Sequence, residues 1–127
     1  MVIYPNENFD TFVSMGEAES YMRSRLHSGA YTSADNVDKL AAIKTAFRAL
    51  SELDITLDPD DTDQTKALKT AQCEQALYEI KHDTDNQFQY LMTAGVMMSK
   101  KEASRYSERA LALLRPYIRA ASVSRFR

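Results

Sequence analysis

The sequence predicts an all-α protein: a small bundle of four to five helices with a long acidic loop and an extended basic C-terminal tail. Three observations predict it. Three glycines and three prolines in 127 residues are too few turn formers for a β sandwich. Apolar side chains recur at steps of three and four over several stretches. Capping residues stand immediately before those stretches. The length fits one domain, read as residues 1–120 followed by a tail over 121–127.

Residues 1–13 have no helical period, and Phe9 and Phe12 there read as apolar anchors against the first helix. Ser14-Met15-Gly16-Glu17 is a capping box, so a helix is expected from Met15 to His27, ending at Ser28-Gly29. Ala18, Tyr21, Met22 and Leu26 form its apolar face. Thr32 to Asn36 is rich in capping side chains and opens a second helix, Asp35 to Leu53. Val37, Leu40, Ile43, Phe47 and Leu50 line its inner face.

Residues 52–63 carry six acids and no base. A calcium loop would need Gly where Asp63 stands and Glu where Lys69 stands, so solvation and capping explain these acids better. The third helix is expected over Gln64 to His82, with Leu68, Ala71, Gln75 and Tyr78 on one line and Cys73, Leu77 and Ile80 beside it. Cys73 reads as a small buried apolar group, and Leu40, Phe47, Leu77 and Leu114 as core. His27 and His82 fall at expected helix C-termini, where an imidazolium meets the negative dipole end. Asp83 to Asn86 reads as the cap of a short helix, Gln87 to Thr93, stopped by Gly95. Val96, Met97 and Met98 then form an extended segment suited to a core gap or to an inter-subunit or partner surface. A last helix follows Ser107 and carries Ala110, Leu111, Leu114, Tyr117 and Ile118. Pro116 should break it near Arg115.

The net charge of −2 conceals a division: residues 1–99 carry −8 and residues 100–127 carry +6. An acidic body with a basic end is suited to contacting something through that end. Two separate histidines and one cysteine offer little for base or nucleophile chemistry, and no phosphate loop or zinc spacing occurs. No catalytic residue, metal ligand or cofactor is therefore expected, and the chain reads as a binding or structural protein. The opening residues lack a basic start and an apolar run, which predicts no secretory leader. The uncharged stretch 86–99 is too short and polar to span a membrane.

Several segments together resemble the head–tail connector (adaptor, or head completion) proteins of long-tailed bacteriophages. Phe12 to Leu26 is similar to the opening helix of that family. Ala30 to Asp35 with Lys39 to Ile43 resembles the second helix, Lys69 to Tyr78 the third, and Leu111 to Arg119 the closing segment. The family often carries a Trp-x-Gly-like turn after the second helix, where this chain has its acidic loop. The resemblance implies a helical subunit that assembles as a ring, commonly twelve-fold, on the portal protein. The ring bridges the portal to a stopper or tail completion protein, in a virion assembled in the bacterial cytoplasm. DNA passes through the channel without specific binding, as an acidic body permits. Some relatives are described as DnaT-like single-stranded-DNA-binding proteins, which implies a replication accessory role as the alternative.

The expected docking residues are Arg115, Tyr117, Arg119, Val123, Arg125, Phe126 and Arg127. Beyond Pro116 the chain has no acidic side chain and ends in Ser122-Val123-Ser124-Arg125-Phe126-Arg127. So short a segment cannot bury its own apolar groups. It is expected to be mobile in the free subunit and to add to a partner as a strand or lie in its groove.

Overall fold

A computed structural model of the chain describes residues 1–93 and 105–119, with side chains over 1–82 and 105–119. Its described part is helical, and the expected all-α bundle is what forms. α1 spans Met15–Ser24 and begins with the capping box read from the sequence. Ser14 Oγ accepts from the Glu17 N–H, and the Glu17 carboxylate accepts from the Ser14 N–H, each at 3.0 Å. The helix ends three residues before the expected His27. Ser28 Oγ donates to the Met22 carbonyl at 2.6 Å, satisfying an acceptor at the helix end. His27 adopts a φ of 64°, and Leu26 is 76% exposed instead of lying on the apolar face. A one-turn helix that the sequence did not announce, α2 (Gly29–Thr32), then inserts Tyr31 into the core.

α3 spans Asn36–Leu50, with Asp35 as its N-cap accepting from the Asp38 N–H at 2.8 Å. It stops before the expected Leu53, where Ser51 Oγ donates back to the Phe47 carbonyl at 2.6 Å. Its buried face is Ala42, Ile43, Ala46 and Leu50, rotated from the expected line. The alanines form the contact face, so Leu40 and Phe47 are half-buried at its edges, and Val37 in the first turn is 75% exposed. Phe9 and Phe12 are indeed anchors, but they pack on Phe47 of α3, at 5.9 and 5.1 Å between ring centroids, and not on α1.

α4 spans Thr62–Thr93 without interruption, so the break expected at His82 and the separate helix over 87–93 do not occur. Asp, Thr and Asn cost only about 0.5 kcal/mol each inside a helix, and no Gly or Pro stands between the two ends. His82 is accordingly within the helix, its ring 4.0 Å from that of Tyr78. α5 (Glu108–Leu114) starts where Ser107 Oγ accepts from the Ala110 N–H, and it gives way to a 3₁₀ turn, Arg115–Tyr117, at the expected proline. Ile118 lies beyond the helix, bridging antiparallel to Ile55 of the acidic loop.

α4 is the shared wall of two apolar clusters. Cys73, Ala76 and Leu77 face Val13, Met22, Tyr31 and Ile43 on one side. Leu68 and Ala71 face Tyr4, Phe12, Leu50 and Leu114 on the other. Three buried glutamines of α4 fasten the irregular segments to it. Gln64 donates to the Thr56 carbonyl (2.9 Å) and accepts from the Asp58 N–H (2.7 Å). Gln72 holds Thr11, Phe12 and Ile43, and Gln75 accepts from the Ser107 N–H at 2.8 Å.

Tyr31 is fully buried, yet its hydroxyl has no hydrogen-bond partner among the described residues. Burial, with the nearby Glu19 charge, pushes its phenol up to about 12. Removing a buried hydroxyl that makes no bond removes its desolvation cost. Tyr31→Phe is therefore expected to stabilise the protein by about 1 kcal/mol in urea denaturation; a loss of that size would reveal a partner for the hydroxyl.

Candidate functional site

The acidic loop and the C-terminal segment, separate in sequence, form one surface. Arg119 N–H donates to the Asp54 carbonyl at 3.0 Å, and its guanidinium donates to Thr56 Oγ1 at 2.7 and 3.1 Å. Its Nε also lies 3.4 Å from Asp54 Oδ1. Tyr117 is half-buried beside the loop, where partial burial and the Asp61 and Asp63 carboxylates raise its phenol above the ordinary value. Arg115 is exposed at the start of the 3₁₀ turn. Of the expected docking residues the structure thus brings Tyr117 and Arg119 to the acidic loop, while Arg115 is exposed in the adjoining turn. Val123, Arg125, Phe126 and Arg127 lie outside the described residues, as do Val96, Met97 and Met98.

The loop itself is built, not merely solvated. Asp58 to Asp61 make a turn in which the Asp61 N–H donates to the Asp58 carbonyl and the Asp60 N–H to Asp58 Oδ1, both at 3.0 Å. Asp61 Oδ1 accepts from the Gln64 N–H at 3.0 Å, capping α4 as the sequence suggests. Glu52 pairs with Arg105. Among the described residues no group of three or more His, Cys, Asp or Glu side chains is placed to hold a metal.

A second surface, unanticipated from sequence, is a cleft of about 430 Å³ between the end of α1, the middle of α4 and the start of α5. Its wall includes Glu74, nearly fully buried, held by Arg25 through Nε and Nη2 at 2.8 and 2.9 Å. The Tyr21 hydroxyl donates to the same carboxylate. Burial alone would raise the Glu74 carboxyl, but the bonds from Arg25 and Tyr21 outweigh it and hold the group below its ordinary value. Tyr21, buried against that carboxylate, is pushed up to about 12. Lys81, His82, Tyr78 and Arg109 line the rest with Glu108. The signal available in the sequence was slight: Glu74 stands among apolar neighbours on α4, and an acid there needs a cation.

Because Glu74 is held below its usual 4.5, its contribution to stability is full above pH 4.5 and is lost as the pH falls below that, through the folded-state value. Glu74→Gln is expected to cost about 2 kcal/mol at neutral pH and to flatten this acid limb in denaturation curves. An unchanged acid limb would show that the pair contributes nothing. Cys73 is buried and its thiol is pushed up to about 12 by burial and the neighbouring Glu74, which makes it unreactive, in keeping with its expected packing role. Among the described residues no helix is long and apolar enough to cross a membrane. No family model, curated protein or solved structure matches the chain.

Proposed function

We propose that the chain is a structural virion protein, a ring-forming adaptor that joins the capsid portal to the tail or stopper around the DNA channel. Its partners on this reading are further copies of itself, twelve in the ring as the family likeness implies, the portal protein and a stopper or tail completion protein. DNA passes through without specific binding. The subunit is made in the host cytoplasm and resides at the head–tail interface. The observation that carries the reading is the seating of Arg119 on Asp54 and Thr56. It fixes the point from which the basic residues 120–127 continue, and on this reading Arg125, Phe126 and Arg127 meet the partner. The order of helical segments shared with the connector family adds to it. Purified subunit mixed with its cognate portal rings should add a ring of density on one end of the portal in electron micrographs. Portals that stay bare at saturating subunit concentration would refute the adaptor reading.

One observation favours the alternative, a single-stranded-DNA-binding or replication accessory protein. Lys81 and Arg109 stand in the cleft beside the rings of Tyr78 and His82, which are in contact and tilted by 35°, a mixture of cations and aromatics that can take a base and its phosphate. A titration with single-stranded DNA separates the two. Tight binding that falls steeply with salt belongs to the alternative, and background binding by a basic end belongs to the adaptor.

A further inference from the structure

We propose that the cleft between α1, α4 and α5 receives the Asp58–Asp63 turn of a second copy of this chain. The inference deepens the ring reading and rests on it for closure of the assembly, though not for the contact itself.

The charges are complementary, and several of them form no ion pair within the described residues. In the loop, Glu52 is matched by Arg105 and Asp54 by Arg119, whereas Asp58, Asp60, Asp61 and Asp63 have no ion-pair partner among the described residues. In the cleft, Glu74 is already matched by Arg25, whereas Lys81 and Arg109 have no ion-pair partner among the described residues. Among the described residues Glu108 is the other carboxylate of the lining, so the described cations exceed the described anions there.

Geometry keeps the two surfaces apart within one chain. The turn precedes Thr62 and the cleft extends to Lys81 and His82 on the same uninterrupted helix. At 1.5 Å per residue the turn lies about 18 Å along α4 from Glu74, the nearest cleft residue on that helix, and about 30 Å from Lys81. They can therefore meet only between copies. A contact that uses two different patches is head-to-tail, and it closes into a ring when the rotation allows. The turn is also pre-organised. Gln64 holds Asp58 at 2.7 Å and the Thr56 carbonyl at 2.9 Å, so little ordering cost falls on the association. Charge complementarity of this kind fixes register and partner choice.

A charge exchange tests the contact. One variant carries Lys81→Glu and Arg109→Glu, the other Asp60→Lys and Asp63→Lys. The four side chains are exposed or line an open cleft, and circular dichroism checks that both variants fold. Wild-type protein should self-associate in sedimentation velocity at low salt and dissociate as salt rises. Each variant alone should associate at least about tenfold more weakly, since like charges then face each other. An equal mixture of the two should recover association, because each turn again meets a cleft of opposite charge. A wild type that stays monomeric at its highest soluble concentration, variants that associate as it does, or a mixture that fails to recover would each overturn the contact. Loss of single-stranded-DNA binding in the cleft variant with self-association intact would also overturn it and assign the cleft to nucleic acid. Wild type that associates by this exchange but leaves portal rings bare would remove the adaptor reading and leave the contact standing.

Discussion

A chain lacking residues 121–127 should keep its fold and melting temperature and lose portal docking altogether. The last described residues are held by contacts the deletion leaves alone. Ile118 packs against the second apolar cluster and bridges Ile55, and Arg119 is bound to Asp54 and Thr56. What the deletion removes is Val123, Arg125, Phe126 and Arg127, the residues expected to meet the partner. Ordering seven residues costs on the order of 10 kcal/mol. Two arginines on carboxylates return roughly 2 kcal/mol each and a buried Phe126 about 2–3 kcal/mol more, with main-chain hydrogen bonds adding the remainder. The balance for one copy is close to zero. Stable docking then depends on many copies acting together, as a ring on a ring does, because each bound tail raises the effective concentration of the next. With the balance so near zero, losing the anchor and both arginines should abolish capture instead of weakening it. Thermal melting and co-sedimentation with portal rings measure the two halves of the expectation. A deletion protein that still joins heads to tails would assign docking to another surface.

The same numbers explain which parts of this molecule a sequence can disclose. Ser14, Asp35 and Ser107 act on backbone groups three residues away, so their caps were legible. Pro116 likewise acts locally and ends α5 where expected. Asp83 to Asn86 misled because capping residues permit a helix start without requiring one. In a run lacking Gly and Pro their small cost does not break α4. Leu26 misled for a different reason: the end of α1 is decided by Ser28 on Met22 and by Arg25 on Glu74, forty-nine residues away. The joining of the acidic loop to Arg119 and the cleft at Glu74 both depend on such distant pairs, and helical periodicity carries no record of them. Gln75, placed on an apolar line by its spacing, was the one visible hint that α4 buries amides.

The largest stability effect is expected at Gln72, which is fully buried on that helix. Its Nε2 donates to Thr11 Oγ1 at 2.9 Å and to the Ile43 carbonyl at 3.0 Å, while its Oε1 accepts from the Phe12 N–H at 2.7 Å. One side chain thus ties the N-terminal segment and α3 to α4. Gln72→Ala removes three bonds of unequal weight. Ile43 lies inside α3, where its carbonyl already serves the helix, so losing a second donor costs little. Thr11 Oγ1 still donates to the Val13 carbonyl at 2.7 Å. The Phe12 N–H has no such recourse, and a buried unpaired donor costs about 1–3 kcal/mol. The cavity left by the side chain adds about 2 kcal/mol, giving roughly 4 kcal/mol in all. That is a large share of a typical domain's 5–15 kcal/mol. Gln72→Leu, which refills the volume without the bonds, should recover about half of the loss. The comparison by urea denaturation separates cavity from hydrogen bond. If Gln72→Ala unfolds within about 1 kcal/mol of wild type, the N-terminal segment is held by its aromatic cluster on Phe47 and not by the amide.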